Sequence, residues 1–173
     1  INNACIDAKP HKGVKKINNI SKQWDLEISV GLKSMYLLIE LLSQKMIKMK
    51  TGIIINMASD LAIIAPNQEI YKKAFPNYIK PASYSAIKHG VIGLTKYYAS
   101  LLSQYKITCN AISPAGVENN QPVKFKKELI KLIPMKRMST LDDIKNVVNF
   151  LIDSKSSFIT GQNIVVDGGR TII

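Results

Sequence analysis

Residues that staple small folds through covalent bonds or metals are scarce in this sequence. Its 173 residues include two cysteines, Cys5 and Cys109. Their separation matches no metal-ligand or redox-motif spacing, so they read as thiols of a cytosolic protein rather than a disulfide framework. Histidine is as rare. His11 lies in a polar lead-in, and His89 directly follows Lys88, which turns it off that residue's helix face and makes it read as structural. No apolar run approaches the roughly 18–20 residues that span a bilayer, so no membrane association is expected. Low-complexity tracts and internal repeats are missing too, which excludes a disordered chain. The opening Ile1-Asn2-Asn3-Ala4 lacks the charged and apolar regions of a secretory signal. It also lacks an initiator Met, so a fragment, a processed product or a partial reading frame is expected. Acidic residues are few: 12 Asp and Glu stand against 24 Lys and Arg, a net charge of +12. That excess suits nucleic acid, phosphate-bearing ligands or an anionic surface. The lysines are dispersed from Lys9 to Lys127, however, with no basic arm and no interleaved aromatics to act as a stacking platform. A Lys-, Ile- and Asn-rich bias over the whole chain explains the charge, and no nucleic-acid partner is expected.

Hydrophobic residues make up 46% of the chain, enough for one sizeable core, so residues 1–173 are expected to form a single domain. Ser21 to Lys50 has Leu26, Val30, Leu37, Leu41 and Ile47 at helical spacing and predicts a long amphipathic helix stopped by Thr51-Gly52. Ile53 to Met57 is a short apolar run suited to a strand buried on both faces. From Asp60 to Pro81, Pro66, Pro76 and Pro81 interrupt a polar, aromatic stretch that reads as a loop with one helical turn. A second long helix follows over Ser83 to Tyr105, then a strand over Ile107 to Ile112 broken by Ser113-Pro114-Ala115-Gly116-Val117. Glu118 to Lys131 reads as a loop and a short basic helix. Thr140-Leu141-Asp142-Asp143 has the form of a helix N-cap, and Gln162 to Val166 is the last strand. Strand and helix alternate, which predicts an α/β fold: a parallel sheet with helices on both faces.

Tyr84-Ser85-Ala86-Ile87-Lys88 carries the chemistry. Four residues apart on a helix, a phenol and an amine share one face. An ammonium there favours the phenolate, making a group able to exchange a proton with a carbonyl or alcohol. A half-buried helix tyrosine with a polar tip gives the same pair, so its company matters. Asn2-Asn3-Ala4-Cys5 opens the chain and Ile55-Asn56-Met57-Ala58-Ser59 ends a strand. Tyr84 to Lys88 comes next, then Pro114-Ala115-Gly116-Val117. Ile159-Thr160-Gly161-Gln162-Asn163 through Val166-Asp167-Gly168-Gly169 closes the series.

In this order the motifs closely resemble the short-chain dehydrogenase/reductase family. Ser59-Asp60-Leu61-Ala62-Ile63-Ile64-Ala65-Pro66 and Lys88-His89-Gly90 look most like a branch from bacterial surface-sugar and flagellin-modification gene clusters. The resemblance implies a Rossmann-type doubly wound sheet, here incomplete. The family opens with a strand, a Gly-rich turn and a helix that hold the dinucleotide pyrophosphate. No G-x-G-x-x-G or G-x-x-x-G-x-G occurs in this sequence. The Asn-Asn-Ala motif normally follows the fourth strand, so three strands and most of a fourth are missing.

By the same resemblance, Tyr84 is the general acid or base and Lys88 lowers its pKa and binds the nicotinamide ribose. Ser59, which also reads as a strand-end cap, positions the substrate oxygen. Asn3 and Ala4 match positions that line the NAD or NADP site and support the sheet. Pro114, Ala115, Gly116 and Val117 match the loop that meets the nicotinamide carboxamide. Three departures stand out: Gly31 where the family has a catalytic Asn, Cys5 for the last Gly of Asn-Asn-Ala-Gly, and Ala115 for the Gly after Pro114. Ser59 and Tyr84 are also more widely spaced than the family pattern, which implies an insertion within 60–81, around Gln68 to Lys80. It is expected to cover the substrate pocket, with Tyr71, Lys72, Lys73 or Lys80 meeting a polar or anionic substrate; a solvated surface loop is the alternative.

The implied function is an NAD(P)-dependent oxidoreductase acting on a hydroxyl or carbonyl of a small polar substrate, a sugar-like one being an option, working as a homodimer or homotetramer in the cytoplasm. One alternative is an inactive fragment that keeps its oligomerisation surfaces, the two long helices and the last strand. The other is a basic nucleic-acid-binding module, suggested by net charge alone.

Overall fold

Apolar residues that follow one another without alternation, as in Ile53-Ile54-Ile55, need cover on both faces of a sheet. The computed structural model, which describes residues 1–7 and 20–173, supplies it. The expectations for His11 and for Lys9, Lys12, Lys15 and Lys16 lie outside the described residues.

Strands β1 (Gly52–Met57), β2 (Ile107–Pro114) and β3 (Asn163–Val166) pair in parallel in that order. Ile54 lies opposite Cys109, and Ile112 opposite Ile164. Helices α1 (Ile20–Ile28) and α2 (Ser34–Met49) precede β1, and α3 (Gln68–Ala74) and α4 (Ala82–Leu102) follow it. Helices α5 (Val123–Lys131) and α6 (Leu141–Ile152) lie between β2 and β3. Successive strand residues point to opposite faces. Ile54, Cys109 and Ala111 therefore pack with Met35 and Ile39 of α2 and Ile87, Val91 and Tyr98 of α4. Ile55 and Ile112 pack instead with Leu151, Val147 and Val148 of α6. The expected α/β arrangement, with helices on both faces of a parallel sheet, is present.

The helix expected from Ser21 to Lys50 is continuous, but Ser29–Lys33 forms a π-helical turn between α1 and α2. The leucines singled out on it do not face the core: Leu26 is 53%, Leu37 44% and Leu41 71% exposed. The buried residues are Glu27, Gly31, Met35, Ile39 and Ser43. Residues spaced by four drift around a helix of 3.6 residues per turn, and a wider turn takes up part of that drift. Lys50, at φ 50°, ends the helix in the left-handed region. Gly52 then passes so close to Met46 that a Cβ would meet its Sδ at 2.7 Å.

The segment from Asp60 to Pro81 is more ordered than a loop with one turn. A 3-10 turn, Asp60–Ala62, is followed by α3, whose first N–H groups are capped by Asn67 (Glu69 N–H to Oδ1, 3.0 Å). The three prolines flank these elements instead of falling inside them, so they do not oppose helix formation. Ile70 and Tyr71 bury α3 against Phe125 and Leu129 of α5. Thr140 and Asp143 form the expected cap of α6, as a full capping box.

The motif residues outside the helices also hold the sheet. Asn2 joins the open edge of β1 through its N–H to the Ile55 carbonyl (2.8 Å), and accepts from Met57 N–H (2.9 Å). Buried Asn56 accepts from the Asn2 amide at 2.8 Å and donates to Thr95 Oγ1 at 2.9 Å, tying chain start, β1 and α4 together. Thr160 Oγ1 accepts from Cys109 N–H (3.0 Å), and Asn110 bonds the Ile159 carbonyl (2.7 Å) and Gln162 N–H (3.0 Å). Asp167 accepts from the N–H groups of Gly169 and Thr171 and shapes the final turn.

Candidate functional site

Parallel strands leave a crevice beyond their carboxyl ends, where the following loops diverge. Here a cavity of about 880 Å³ opens beyond β1 and β2. The β1 end supplies Met57 to Leu61, the β2 end Pro114 to Val117, and α4 contributes Tyr84 and Lys88. Ser59, Tyr84, Lys88, Asn3, Pro114, Ala115, Gly116 and Val117 thus all line one cavity. Ala4 does not: it lines a separate, smaller one of about 220 Å³ beside Gly31. The sheet support expected of Asn3 and Ala4 comes from Asn2 instead.

Ser59 is 6% exposed and serves two structural purposes. Its Oγ caps the 3-10 turn by accepting from Leu61 N–H at 3.2 Å, and it donates to Asp60 Oδ1 at 2.9 Å. The strand-end cap and the cavity-facing hydroxyl are therefore one residue. Asp60 in turn pairs with Arg170 (Oδ2 to Nη1, 2.5 Å), both side chains being about 5% exposed. Arg170 Nε, in the cavity wall, has no hydrogen-bond partner among the described residues.

Lys88 Nζ donates to the Met57 carbonyl at 2.8 Å and stands 5.6 Å from the Tyr84 ring centroid. Burial pushes the Tyr84 phenol above its ordinary value, and the neighbouring Ser59 hydroxyl opposes it. Burial also lowers the pKa of Lys88, with the nearby Cys5 and Asp7 opposing it. Burial is thus the largest influence on the phenol in the ligand-free protein. Desolvation disfavours both charged forms and outweighs an ammonium that is itself drawn toward Met57. Tyr84 in this protein without bound ligand holds its proton at neutral pH, the state needed to donate it.

A second ammonium lines the cavity. Lys80, 6% exposed, places Nζ 3.8 Å from the Tyr84 ring centroid and pairs with Asp7. Tyr71, Phe75 and Tyr78 of the same segment line the cavity with Phe125. Burial pushes the Tyr71 phenol up to about 12. Lys72 and Lys73 turn outward, pairing with Glu69 and Glu128 at 3.0 Å each. Asp7, Phe125 and Arg170 carry no signal in the sequence, and Asp60 stands there only as a member of the motif that follows Ser59. Arg170 lies 110 positions from Asp60, and no local spacing rule links them. His89 is exposed, its Nδ1 2.9 Å from the Ser85 carbonyl, and it stays out of the cavity.

Two of the three departures accommodate each other. A Cβ at Gly31 would come within 2.8 Å of Ile87 Cγ2 and 3.3 Å of Cys5 Sγ, so Ile87 and Cys5 fill the space that a side chain at 31 would need. Ala115 is not among the residues in the left-handed region, so its Cβ carries no backbone strain.

The residues present fit the nicotinamide–ribose half of a dinucleotide. An ammonium has three donors and Lys88 gives one to Met57, inside a cavity flanked by the 114–117 backbone. The Gly-rich turn for the pyrophosphate is not in this sequence.

A profile of the family described as enoyl-(acyl carrier protein) reductase matches residues 1–171. The chain is 34% identical over 154 residues to a 3-oxoacyl-(acyl-carrier-protein) reductase of Buchnera aphidicola subsp. Schizaphis graminum, covering 86% of this chain and 58% of that protein. Among solved structures it is similar to a 3-oxoacyl-(acyl-carrier protein) reductase with bound NAD from Brucella melitensis. That match has a TM-score of 0.83 and 29% identity, covering 99% of this chain and 61% of the other. A short chain dehydrogenase from Leptospira borgpetersenii with bound NAD+ matches with a TM-score of 0.83 and 30% identity, over 97% and 62% of the two chains. The chain spans about three fifths of the length of these relatives.

Proposed function

Because this chain belongs to the short-chain dehydrogenase/reductase family, we propose that the protein is a cytoplasmic NAD(P)-dependent oxidoreductase acting on a hydroxyl or carbonyl of a small, sugar-like substrate. The observation that carries this reading is the meeting of Ser59, Tyr84 and Lys88 on one cavity at the strand ends, with Ser59 and Lys88 buried in its wall. When bound, a nicotinamide would supply the hydride chemistry, alcohol and NAD(P)+ balancing against carbonyl, NAD(P)H and a proton. The protein's residues handle the proton and the positions. Tyr84, protonated at neutral pH, donates to the carbonyl oxygen as the C–H bond forms and takes the proton back in the reverse direction. Ser59 would hold the same oxygen, its proton turning from Asp60 Oδ1 to the carbonyl or its Oγ accepting from the alcohol. Lys88 would hold the ribose, the Pro114, Gly116 and Val117 backbone would meet the carboxamide, and Asn3 would line the cofactor site.

NADH and NADPH fluorescence titrations of the native-length protein, followed by turnover of an alcohol and carbonyl panel, test the reading. Tyr84→Phe is expected to retain cofactor binding while lowering kcat by about 100-fold or more. Undiminished turnover in that variant would overturn the assignment.

A homodimer or homotetramer is also proposed. Its support is the exposed apolar face of the long helices, with Leu41 71%, Leu42 55% and Tyr97 60% exposed. The same face supports the second reading, an oligomerising piece without turnover, for which neither cofactor would bind.

A further inference from the structure

We propose that Lys80 anchors an anionic group of the substrate, so that the oxidoreductase prefers a hydroxylated compound bearing a carboxylate or phosphate close to the reacting carbon. This rests on the oxidoreductase reading above and adds the substrate's charge to it.

The backbone of Lys80 is clamped. Its N–H donates to Gln68 Oε1 at 2.9 Å and its carbonyl accepts from Gln68 Nε2 at 3.2 Å, so the first residue of α3 fixes the end of the same segment. Pro81 follows, keeping Lys80 extended and opening α4. The side chain then reaches inward, and the ammonium lies on the face of the Tyr84 ring, 3.8 Å from its centroid. A substrate oxygen bonded to the Tyr84 hydroxyl would leave its neighbouring carbons within reach of that ammonium.

The charges around the opening are unequal. Asp60 and Arg170 neutralise each other in the wall. What remains among the described lining residues is Lys80 and Lys88 against Asp7. Asp7 reaches Lys80 from the water side, its side chain 57% exposed while that of Lys80 is 6% exposed. A buried ammonium is costly unless it is well paired. A substrate anion supplies a second acceptor, or replaces Asp7 as that carboxylate turns toward water. The rings of Tyr71, Phe75, Tyr78 and Phe125, with centroids 5.4–6.1 Å apart, offer the carbon skeleton an apolar wall. Ring stacking on Tyr84 alone would make Lys80 a structural cation, and that role would weaken neutral and anionic ligands together.

Calorimetric binding of D-gluconate, D-glucose 6-phosphate and neutral D-glucitol to the native-length protein separates the two roles. At least one anion should bind on the order of tenfold or more tightly than glucitol. Gluconate alone would assign a carboxylate, glucose 6-phosphate alone a phosphate. In Lys80→Met and Lys80→Gln the anion-to-glucitol ratio should fall to near one, while Lys80→Arg keeps it and Asp7→Asn increases it. Absence of any anion preference in the unmodified protein, or a preference that survives Lys80→Met, overturns the proposal. Tyr84-dependent turnover of neutral alcohols would then leave the oxidoreductase reading standing by itself.

Discussion

Adding one methyl group at position 31 sets two known effects against each other. Replacing Gly by Ala inside a helix normally stabilises by about 0.5–1 kcal/mol, because the unfolded chain loses freedom. At Gly31 the new Cβ would sit 2.8 Å from Ile87 Cγ2, 3.1 Å from Ile87 Cδ1 and 3.3 Å from Cys5 Sγ. Ile87 has no solvent exposure and cannot step aside into water. Forcing a methyl group into such packing costs about 1–3 kcal/mol. The packing loss outweighs the helix gain, leaving Gly31→Ala less stable by about 1 kcal/mol. For a chain of this length that lowers Tm by about 2–4 °C. Gly93 is the control, since a Cβ there meets nothing within 4 Å on the same helix as Ile87. Gly93→Ala should raise Tm by a similar amount. Thermal and urea unfolding of both variants, with Gly31→Ala/Ile87→Ala to close a double-mutant cycle, give the comparison. A coupling of at least about 0.5 kcal/mol is expected between positions 31 and 87. Stabilisation by Gly31→Ala equal to that by Gly93→Ala would refute the packing argument, and with it the idea that Cys5 and Gly31 accommodate each other.

Arg170→Ala should cost about 3–5 kcal/mol in urea unfolding, since it strands Asp60 as a buried, unpaired carboxylate; recovery of most of that loss in Arg170→Met/Asp60→Leu is expected, and a loss below 1 kcal/mol in the single variant would contradict burial of the pair. Asp143 is held well below the ordinary carboxyl value of 3.8 by Arg137 and then by the Thr140 cap. Because its folded pKa is the lower one, its contribution is fully present above the unfolded value and is lost as pH falls through the folded one. The difference in urea midpoint between the unmodified protein and Asp143→Asn should therefore be constant above about pH 5 and shrink below pH 4, and a difference that grows on acidification would reverse the sign. Leu41→Glu with Tyr97→Glu should shift sedimentation toward the monomer without loss of helix by circular dichroism, and an unchanged assembly state would place the interface elsewhere.

Much of the fold was legible because it rests on local patterns. The apolar run Ile53-Ile54-Ile55 marked β1, and Thr140-Leu141-Asp142-Asp143 marked the start of α6, since burial on both faces and helix capping are properties of short stretches. The stripe through Leu26, Leu37 and Leu41 misled for the same reason. Periodicity reports an apolar face but not what covers it, and a π-helical turn at Ser29–Lys33 aligns Met35 and Ile39 with the sheet instead. Helix α3 was hidden by prolines that turned out to flank it.

The sequence by itself determined the order of strands and helices, the placing of Ser59 and Pro114 at strand ends, and the spacing that sets Tyr84 and Lys88 on one face. Each of these depends on residues close together in the chain. Only the tertiary structure decided how deeply Tyr84 and Lys88 are buried, and that Lys80 rather than Lys72 or Lys73 enters the cavity. It alone paired Asp60 with Arg170 and filled the space at Gly31 with Ile87 and Cys5. Desolvation, ion pairing and steric fit are set by neighbours in space, and those neighbours come from segments that only folding brings together.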